Sequence, residues 1–429
     1  MSNVVQTNPL APYVRSDLPG RFNELDVLRR HWARFAAVSQ GAIVPPYEVL
    51  IHPSSGCNLR CAWCIGDHVP LELWDEQREQ LVMLDAAKDA SDRLPDHLAS
   101  PENMLKLIGG IVDYEVEAPY RQGGEDRSGV FKVEAVSFSG LIGEPLVARK
   151  ALIPAFALLA ERGIRYGIFT NAVLMDDACI EALLPAGYVH ISIDAGTPET
   201  YADLKYGGRK AGKVMFERAM ANLTRLVQRR TETGSDVEIN TSFVMYPENY
   251  HEVYAAARLI RQAGADSLRL KQDNSGERPL TPEQASHASR LIEQIRGDLT
   301  TETFRLLEIH KVGQTAEMAR TCSTCSITDL MAAVGSDGCL YPCNYHPRPG
   351  GFSYGSALDE SFATVWEGQL RRELRSQLPV ICPKVCDPFK NRSNRLLAEA
   401  KQVAATSGID HLEGHVADLV NGGAYLIER

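Results

Sequence analysis

The stretch PSSGCNLRCAWCIGD, residues 53–67, sets Cys57, Cys61 and Cys64 within eight positions. It directly follows YEVLIH (47–52), a short, apolar, partly β-branched run that reads as a buried strand. Thiolates bind soft metals. Three of them on one loop suffice to hold three irons of a cubane cluster, leaving the fourth iron without a protein ligand. A closed four-cysteine site would serve structure or electron transfer, whereas an open iron invites an exogenous chelating ligand. Structural zinc is the alternative, but it prefers four ligands in two close pairs, and His68 is the only other ligand candidate nearby.

Composition narrows the setting for this loop. No apolar run approaches the roughly 20 residues of a membrane-spanning helix, and the opening MSNVVQTNPLAPYVRSDLPG lacks the pattern of a signal peptide. A cytoplasmic chain is expected, with its ten cysteines kept reduced as metal ligands or reactive groups. The 55 acidic and 45 basic residues give a formal charge of −10 with no long basic run. Nucleic acid is therefore an unlikely partner; a small cationic substrate is allowed.

The hydrophobic pattern indicates an α/β fold. Residues 1–45 form an N-terminal helical extension, with Leu25, Leu28, Trp32, Phe35 and Ala36 on one face of a single helix. Strands at 47–52, 132–138, 165–169, 188–193, 238–245 and 267–272 then alternate with helices near 148–162, 176–185, 212–231 and 249–263. Such alternation makes parallel βαβ units, and six strands make an open, partial (β/α)6 barrel. Gly163, Gly234 and Gly264 fall where left-handed helix ends are placed. The long connection 65–131 is an insertion with helices of its own, one capped by Ser100 and Pro101; within it YRQGGEDRSG reads as a mobile loop or lid. Cys179 lies on the apolar side of its helix and reads as core. A cysteine-rich unit spans 313–390, with a hairpin in MAAVGSDGCLYPC turned by Asp337 and Gly338, and a helical tail covers 391–429.

The Cys-x3-Cys-x2-Cys spacing after the first strand, with Trp63 before the last cysteine, resembles the signature of the radical S-adenosylmethionine (radical SAM) superfamily. The resemblance makes 46–312 a radical SAM partial barrel. It implies a [4Fe-4S] cluster on Cys57, Cys61 and Cys64, chelation of its open iron by S-adenosylmethionine, and formation of a 5′-deoxyadenosyl radical. FSGLIGEPL (138–146) resembles the family's Gly-Gly-Glu segment, so Gly140, Gly143 and Glu144 would bind the methionyl amino group, although this segment has one residue more than the common form. Without the cysteines, Glu144 would read as a solvated loop residue. Thr170, Asn171, Ser192 and Asp194, at strand ends, would meet ribose hydroxyls or the carboxylate. Asn240 and Lys271 would reach nucleotide or substrate, or merely position strands. Trp63 would pack over cluster and adenine.

The second cysteine set resembles the twitch or SPASM extension of the same superfamily, implying one auxiliary [4Fe-4S] cluster on Cys325, Cys343, Cys382 and Cys386, with Cys322 able to replace one of them. A zinc ribbon is the alternative. A spare thiol, Cys339 or Cys322, would serve as a hydrogen donor to a substrate radical. The function expected is hydrogen abstraction from a small polar natural-product intermediate, sugar-, aminocyclitol- or nucleoside-like. The outcome would be net oxidation or epimerisation, an oxidoreductase or epimerase step in antibiotic or secondary-metabolite biosynthesis, with flavodoxin or ferredoxin as reductant. Modification or cross-linking of a ribosomal peptide and radical carbon–carbon bond formation are the alternatives, and a zinc-stabilised nucleotide-binding protein is the remote one.

Overall fold

The computed structural model describes residues 8–14, 23–62, 64, 71–75 and 80–84 (backbone only), 93–140, 143–208, 210–273, 278–309, 311–313, 320–382 and 386–422. Trp63 and His68 lie outside the described residues. After the first strand, β1 (Glu48–Ile51), come two antiparallel hairpins, β2 (Leu71–Asp75) with β3 (Gln80–Leu84) and β4 (Glu115–Gln122) with β5 (Glu125–Lys132). The barrel strands follow: β6 (Ala135–Phe138), β7 (Arg165–Thr170), β8 (Tyr188–Ser192), β9 (Glu238–Met245), β10 (Ser267–Gln272) and β11 (Arg305–Glu308). The C-terminal unit adds β12 (Met331–Val334), β13 (Cys339–Tyr341) and β14 (Gly355–Ser356).

One ten-stranded sheet runs in the order β11-β10-β9-β8-β7-β6-β1-β12-β13-β14, parallel from β11 to β12. The six expected strands are all present. The sheet nevertheless exceeds them at both ends, since β11 extends it past β10 and β12 pairs parallel with β1. RLLE is too short to read as a strand by itself, and MAAV shows its hairpin partner but not its parallel one. The Asp337–Gly338 hairpin forms as read: Gly338 has φ +78 and Asp337 accepts from Cys339 N at 3.1 Å. Gly163, Gly234 and Gly264 take the expected left-handed conformation.

The two faces of the parallel strands differ in chemistry. Val49, Ile51, Val136, Phe138, Tyr166, Ile168, Val189, Ile191, Ile239, Phe243, Leu268 and Leu270 belong to one core under the surrounding helices. On the opposite face, strand register aligns Phe169, His190, Asn240 and Ser267 in one row, and Ser192, Ser242 and Arg269 in the next. Parallel barrel interiors are ordinarily filled by branched apolar side chains. Here the lumen-facing rows are largely polar, and their side chains are buried, His190 at 1%, Asn240 and Ser267 at 0% and Ser242 at 2% exposed.

Two expectations need correction. The N-terminal helix is two, Leu25–Arg30 and Trp32–Ser39, interrupted at His31, whose ring stacks on Tyr47 at 3.9 Å instead of continuing the apolar face. The predicted face still holds, since Leu25, Leu28, Trp32 and Phe35 pack against Leu396, Leu397, Ala400 and Leu412 of helices Pro388–Ser407 and Ile409–Asn421. YRQGGEDRSG is not a mobile loop or lid but the β4–β5 hairpin. Gly123 and Gly124 both take positive φ, +62 and +78, as a two-residue primed turn requires. The hairpin is docked: Trp32 Nε1 donates to Arg121 O at 3.2 Å, Arg121 pairs with Asp410 at 2.8 Å, and Gly123 N donates to Glu413 at 2.7 Å. The insertion holds this hairpin and β2–β3 beside helix Pro101–Val112, whose Ser100 cap accepts from Asn103 N at 3.5 Å. Cys179 is core, as expected. Among the described residues no helix is long and apolar enough to cross a membrane.

Candidate active site

The loop after β1 is pinned from two sides. Asp96 accepts from Ser54 Oγ and Ser55 N, each at 2.7 Å. Beneath the cysteines, the last carbonyls of helix Pro198–Tyr206 accept from the loop: Arg60 N donates to Lys205 O at 2.9 Å and Ala62 N to Leu204 O at 2.8 Å. Burial pushes the thiol of Cys57 up to about 11 and that of Cys61 up to about 12, with Cys64 adding to both and Cys57 adding to Cys61. Three thiolates held this close together are costly without a cation, and this soft, three-sulfur donor set fits an iron–sulfur cluster.

Sequence reasoning missed Lys205, which sits in TYADLKY with no motif to mark it. It is 2% exposed; its ammonium is 2.7 Å from Asp194 Oδ2 and donates to Ser192 O at 2.7 Å. Burial works to lower its pKa, but Asp194, Tyr201 and Cys61 together outweigh this and hold it above its ordinary value. Asp194 itself has φ +58, unusual for a non-glycine residue, and its carboxylate also accepts from Val244 N at 2.8 Å. The ion pair thus ties the strand end carrying Ser192 to the helix that carries the cysteine loop.

The Gly-Gly-Glu-like segment packs on that loop. Glu144 N donates to Gly56 O at 2.8 Å. A Cβ on Gly143 would lie 2.1 Å from Ser54 O, and one on Gly140 would lie 2.0 Å from Gly143 O, so both positions demand glycine. Glu144 is only 3% exposed, which rules out the solvated-loop reading. Its carboxylate accepts from Thr170 Oγ1, from Asn171 N at 2.8 Å and from Leu146 N at 3.2 Å; burial raises its pKa while these bonds oppose. Asn171 Nδ2 donates to Asn58 of the cysteine loop at 2.9 Å. Glu144, Thr170 and Asn171 therefore form one buried network against the trio. Ser192 lies beside Ser242, Oγ to Oγ 3.4 Å. Asn240 bonds Ser267 at 2.5 Å and, with its amide turned to satisfy both neighbours, accepts from Arg269 at 3.1 Å. Lys271 follows Arg269 two residues along on the lumen face.

In the C-terminal unit five thiols converge. Cys325, Cys343 and Cys382 lie within electrostatic reach of one another, and burial first, then Cys343 and Cys322, pushes Cys325 up to about 12. Cys322 and Cys386 share a hydrogen bond that lowers Cys322 to about 7 and raises Cys386. Helix Pro388–Ser407 anchors the first pair: Asn391 Oδ1 accepts from Thr321 N at 3.2 Å, Asn394 Oδ1 accepts from Ile327 N at 2.9 Å, and Asn394 Nδ2 donates to Cys325 Sγ at 3.4 Å. Neither asparagine carried a signal in the sequence. Cys339 stands apart: burial, with Asp337 and Asp359 beside it, pushes its thiol up to about 12.

A partial parallel barrel with an open three-thiol loop at β1, joined through its sheet to a five-thiol unit, defines a radical enzyme with two iron–sulfur sites. The family model described as the Radical SAM superfamily matches residues 51–260, and SPASM, an iron–sulfur cluster-binding domain, matches residues 322–387. The chain belongs to the radical SAM superfamily and carries a C-terminal SPASM domain. Its cofactors are a [4Fe-4S] cluster working with S-adenosylmethionine and an auxiliary iron–sulfur cluster. Among solved structures, Streptococcus suis SuiB bound to S-adenosylmethionine is similar at a TM-score of 0.50 and 16% identity, covering 82% of this chain and 70% of that one. SuiB bound to precursor peptide SuiA is similar at 0.50 and 15%, covering 82% and 71%. No curated protein matches the sequence.

Proposed function

We propose that this enzyme removes hydrogen from a peptide substrate, with net oxidation completed towards the auxiliary cluster. The observation that carries the reading is the polar lumen, which lies in one continuous sheet with the three-thiol loop at β1 and the five-thiol unit beyond β12. A small sugar-like or aminocyclitol-like metabolite was the expectation from the sequence. The likeness of the fold to SuiB, which has been seen with a precursor peptide, favours the peptide alternative. A small polar substrate remains the second reading, supported by the rows of hydroxyl, amide and imidazole groups facing the lumen.

In this reading Cys57, Cys61 and Cys64 hold the first cluster. Gly140 and Gly143 let the backbone approach the methionyl amino group, and Glu144 supplies the negative charge beside it. Thr170, Asn171, Ser192 and Asp194 orient ribose or carboxylate, with Lys205 fixing Asp194. Cys325, Cys343, Cys382 and Cys386 hold the auxiliary cluster, and Cys322 competes for one position. Bound there, cluster and S-adenosylmethionine supply one-electron cleavage of a sulfonium and hence a hydrogen-abstracting radical. Four cysteine ligands would leave the auxiliary cluster no open iron, so it would supply an electron acceptor, which supports dehydrogenation or cross-linking over epimerisation. Cys339, held against Asp337 and Asp359, is the weaker candidate for returning hydrogen. A flavodoxin or ferredoxin would deliver the first electron.

The test is anaerobic reconstitution followed by dithionite reduction. Equal yields of methionine and 5′-deoxyadenosine, and loss of two hydrogens from a peptide by mass spectrometry, are expected. Deoxyadenosine formation stimulated by polar metabolites and never by peptides would move the assignment to the second reading.

A further inference from the structure

The two thiol sites sit in unequal fields. At the cysteine loop, Lys205 sets its positive charge against Cys57 and Cys61, and the carboxylates of Glu144 and Asp194 oppose it. The five-thiol unit has the opposite balance. The short helix Ser326–Asp329 starts at Cys325, and its Thr328 Oγ1 donates back to Cys325 O at 2.8 Å, which holds Asp329 close to that thiol. Three cations gather on Asp329. Arg375 grips its carboxylate with two prongs, Nε donating at 2.5 Å; Arg371 stands 3.7 Å away and Lys401 3.6 Å. They come from two helices, Gln369–Gln377 and Pro388–Ser407. Arg371 is fixed further by donating to Thr328 O at 3.1 Å and by the Trp366 ring, 3.7 Å from its guanidinium. One carboxylate leaves three cations in excess, and the charges of Arg375 and Lys401 reach Cys325. Lys390 adds its own charge at Cys325 and Cys343, with Asp387 opposing at Cys343. Tyr354 is only 4% exposed; its hydroxyl has no hydrogen-bond partner among the described residues and lies within electrostatic reach of Cys325 and Cys343.

We infer that Asp329, by gathering Arg371, Arg375 and Lys401, and Tyr354, through its hydroxyl, hold the reduction potential of the auxiliary site above that of the three-thiol site. This rests on the reading in which Cys325 and Cys343 hold the auxiliary cluster, and deepens it. A four-thiolate cluster gains negative charge on reduction, so cations and hydrogen-bond donors around it favour the reduced form and anions disfavour it. The ordering gives electrons a direction. After hydrogen abstraction the substrate radical loses one electron to the auxiliary site and one proton to water, and leaves as a closed-shell product; a flavodoxin or ferredoxin then carries that electron away. The three-thiol site, with carboxylates outnumbering Lys205, stays the stronger reductant, as cleavage of a sulfonium requires. Asp329, its three cations and Tyr354 are positioning residues, acting on the cluster's potential and not on the substrate.

The experiment is an anaerobic redox titration of the reconstituted two-cluster protein, read by EPR with and without S-adenosylmethionine, whose binding marks the signal of the first cluster. The auxiliary couple should lie at the higher potential. Arg375→Gln and Lys401→Gln should each weaken reduction of the auxiliary site about tenfold, a fall of about 59 mV for a one-electron couple. Arg375→Lys and Lys401→Arg should restore most of it, and Tyr354→Phe should shift it the same way by less. The first couple and the iron content should stay unchanged in all five, which separates tuning from loss of the site. Arg375 and Lys401 are half-buried and sit on different helices, so either variant keeps the test open if the other fails to fold. An auxiliary couple at or below the first overturns the inference. So does one that stays put in both glutamine variants while its signal disappears in Cys343→Ser. A second-site signal that survives Cys343→Ser overturns the ligand reading, and the inference falls with it.

Discussion

Cys57, Cys61 and Cys64 leave a single strand on a single loop, whereas Cys322, Cys325, Cys343, Cys382 and Cys386 arrive from separate segments that helix Pro388–Ser407 helps to hold in place. The first site owes its spacing to local backbone, pinned by Asp96 and by the end of helix Pro198–Tyr206. The second owes its spacing to tertiary packing. Damage away from the cysteines should therefore reach the second site more readily than the first.

The largest effect expected is from replacing Cys57, Cys61 and Cys64 together with alanine. Deoxyadenosine formation should vanish while iron falls from about eight per chain to about four, if both clusters hold four irons; retained cleavage would break the comparison at its first term. Cys343→Ser should do the reverse, removing the auxiliary iron and peptide oxidation while S-adenosylmethionine is still cleaved. Asn394→Leu should mimic it in part, whereas an iron count unchanged from wild type would show that the helix does not hold the second site together.

Lys205→Met strands Asp194 as a lone buried charge, and denaturant titration should show a loss of about 3–5 kcal/mol. The same variant should loosen the cysteine loop, read as slower cluster assembly there than at the second site. His52, at the end of β1, sharpens the comparison through pH. Burial, helped by the charge of Lys390, lowers its pKa to about 4. The unfolded chain takes up that proton near pH 6.5, so stability present above 6.5 is lost as pH falls towards 4. His52→Gln should flatten the acid side of a stability–pH curve measured by chemical denaturation. The smallest effect is expected from Cys339→Ala: turnover within about twofold of wild type, because its thiol lies with Asp337 and Asp359 and not with the five converging sulfurs. Abolished turnover with both clusters intact would instead make Cys339 the hydrogen donor.

Much of the barrel was legible in the chain because parallel βαβ units repeat a pattern with local causes. Buried strands read as apolar runs, helices as 3.6-residue periodicity, and their ends as glycines at Gly163, Gly234 and Gly264. Gly140 and Gly143 were legible through a resemblance, and the reason for them, a backbone approach no Cβ permits, emerged only from the packed loops. The β4–β5 hairpin was misread because its tip is polar and glycine-bearing like a loop, while the groups that dock it, Trp32, Asp410 and Glu413, come from distant parts of the chain.

What the sequence by itself determined is the open three-thiol loop, since ligands a few residues apart share one stretch of backbone and need no distant partner to be close. Tertiary structure alone decided that MAAV lies parallel to β1, that five cysteines meet while Cys339 does not, and that Lys205 neutralises Asp194. Each of these joins residues far apart in the chain or without a marking motif. Their proximity follows from how sheets and helices bury their apolar faces, a property of the whole fold and not of any window within it.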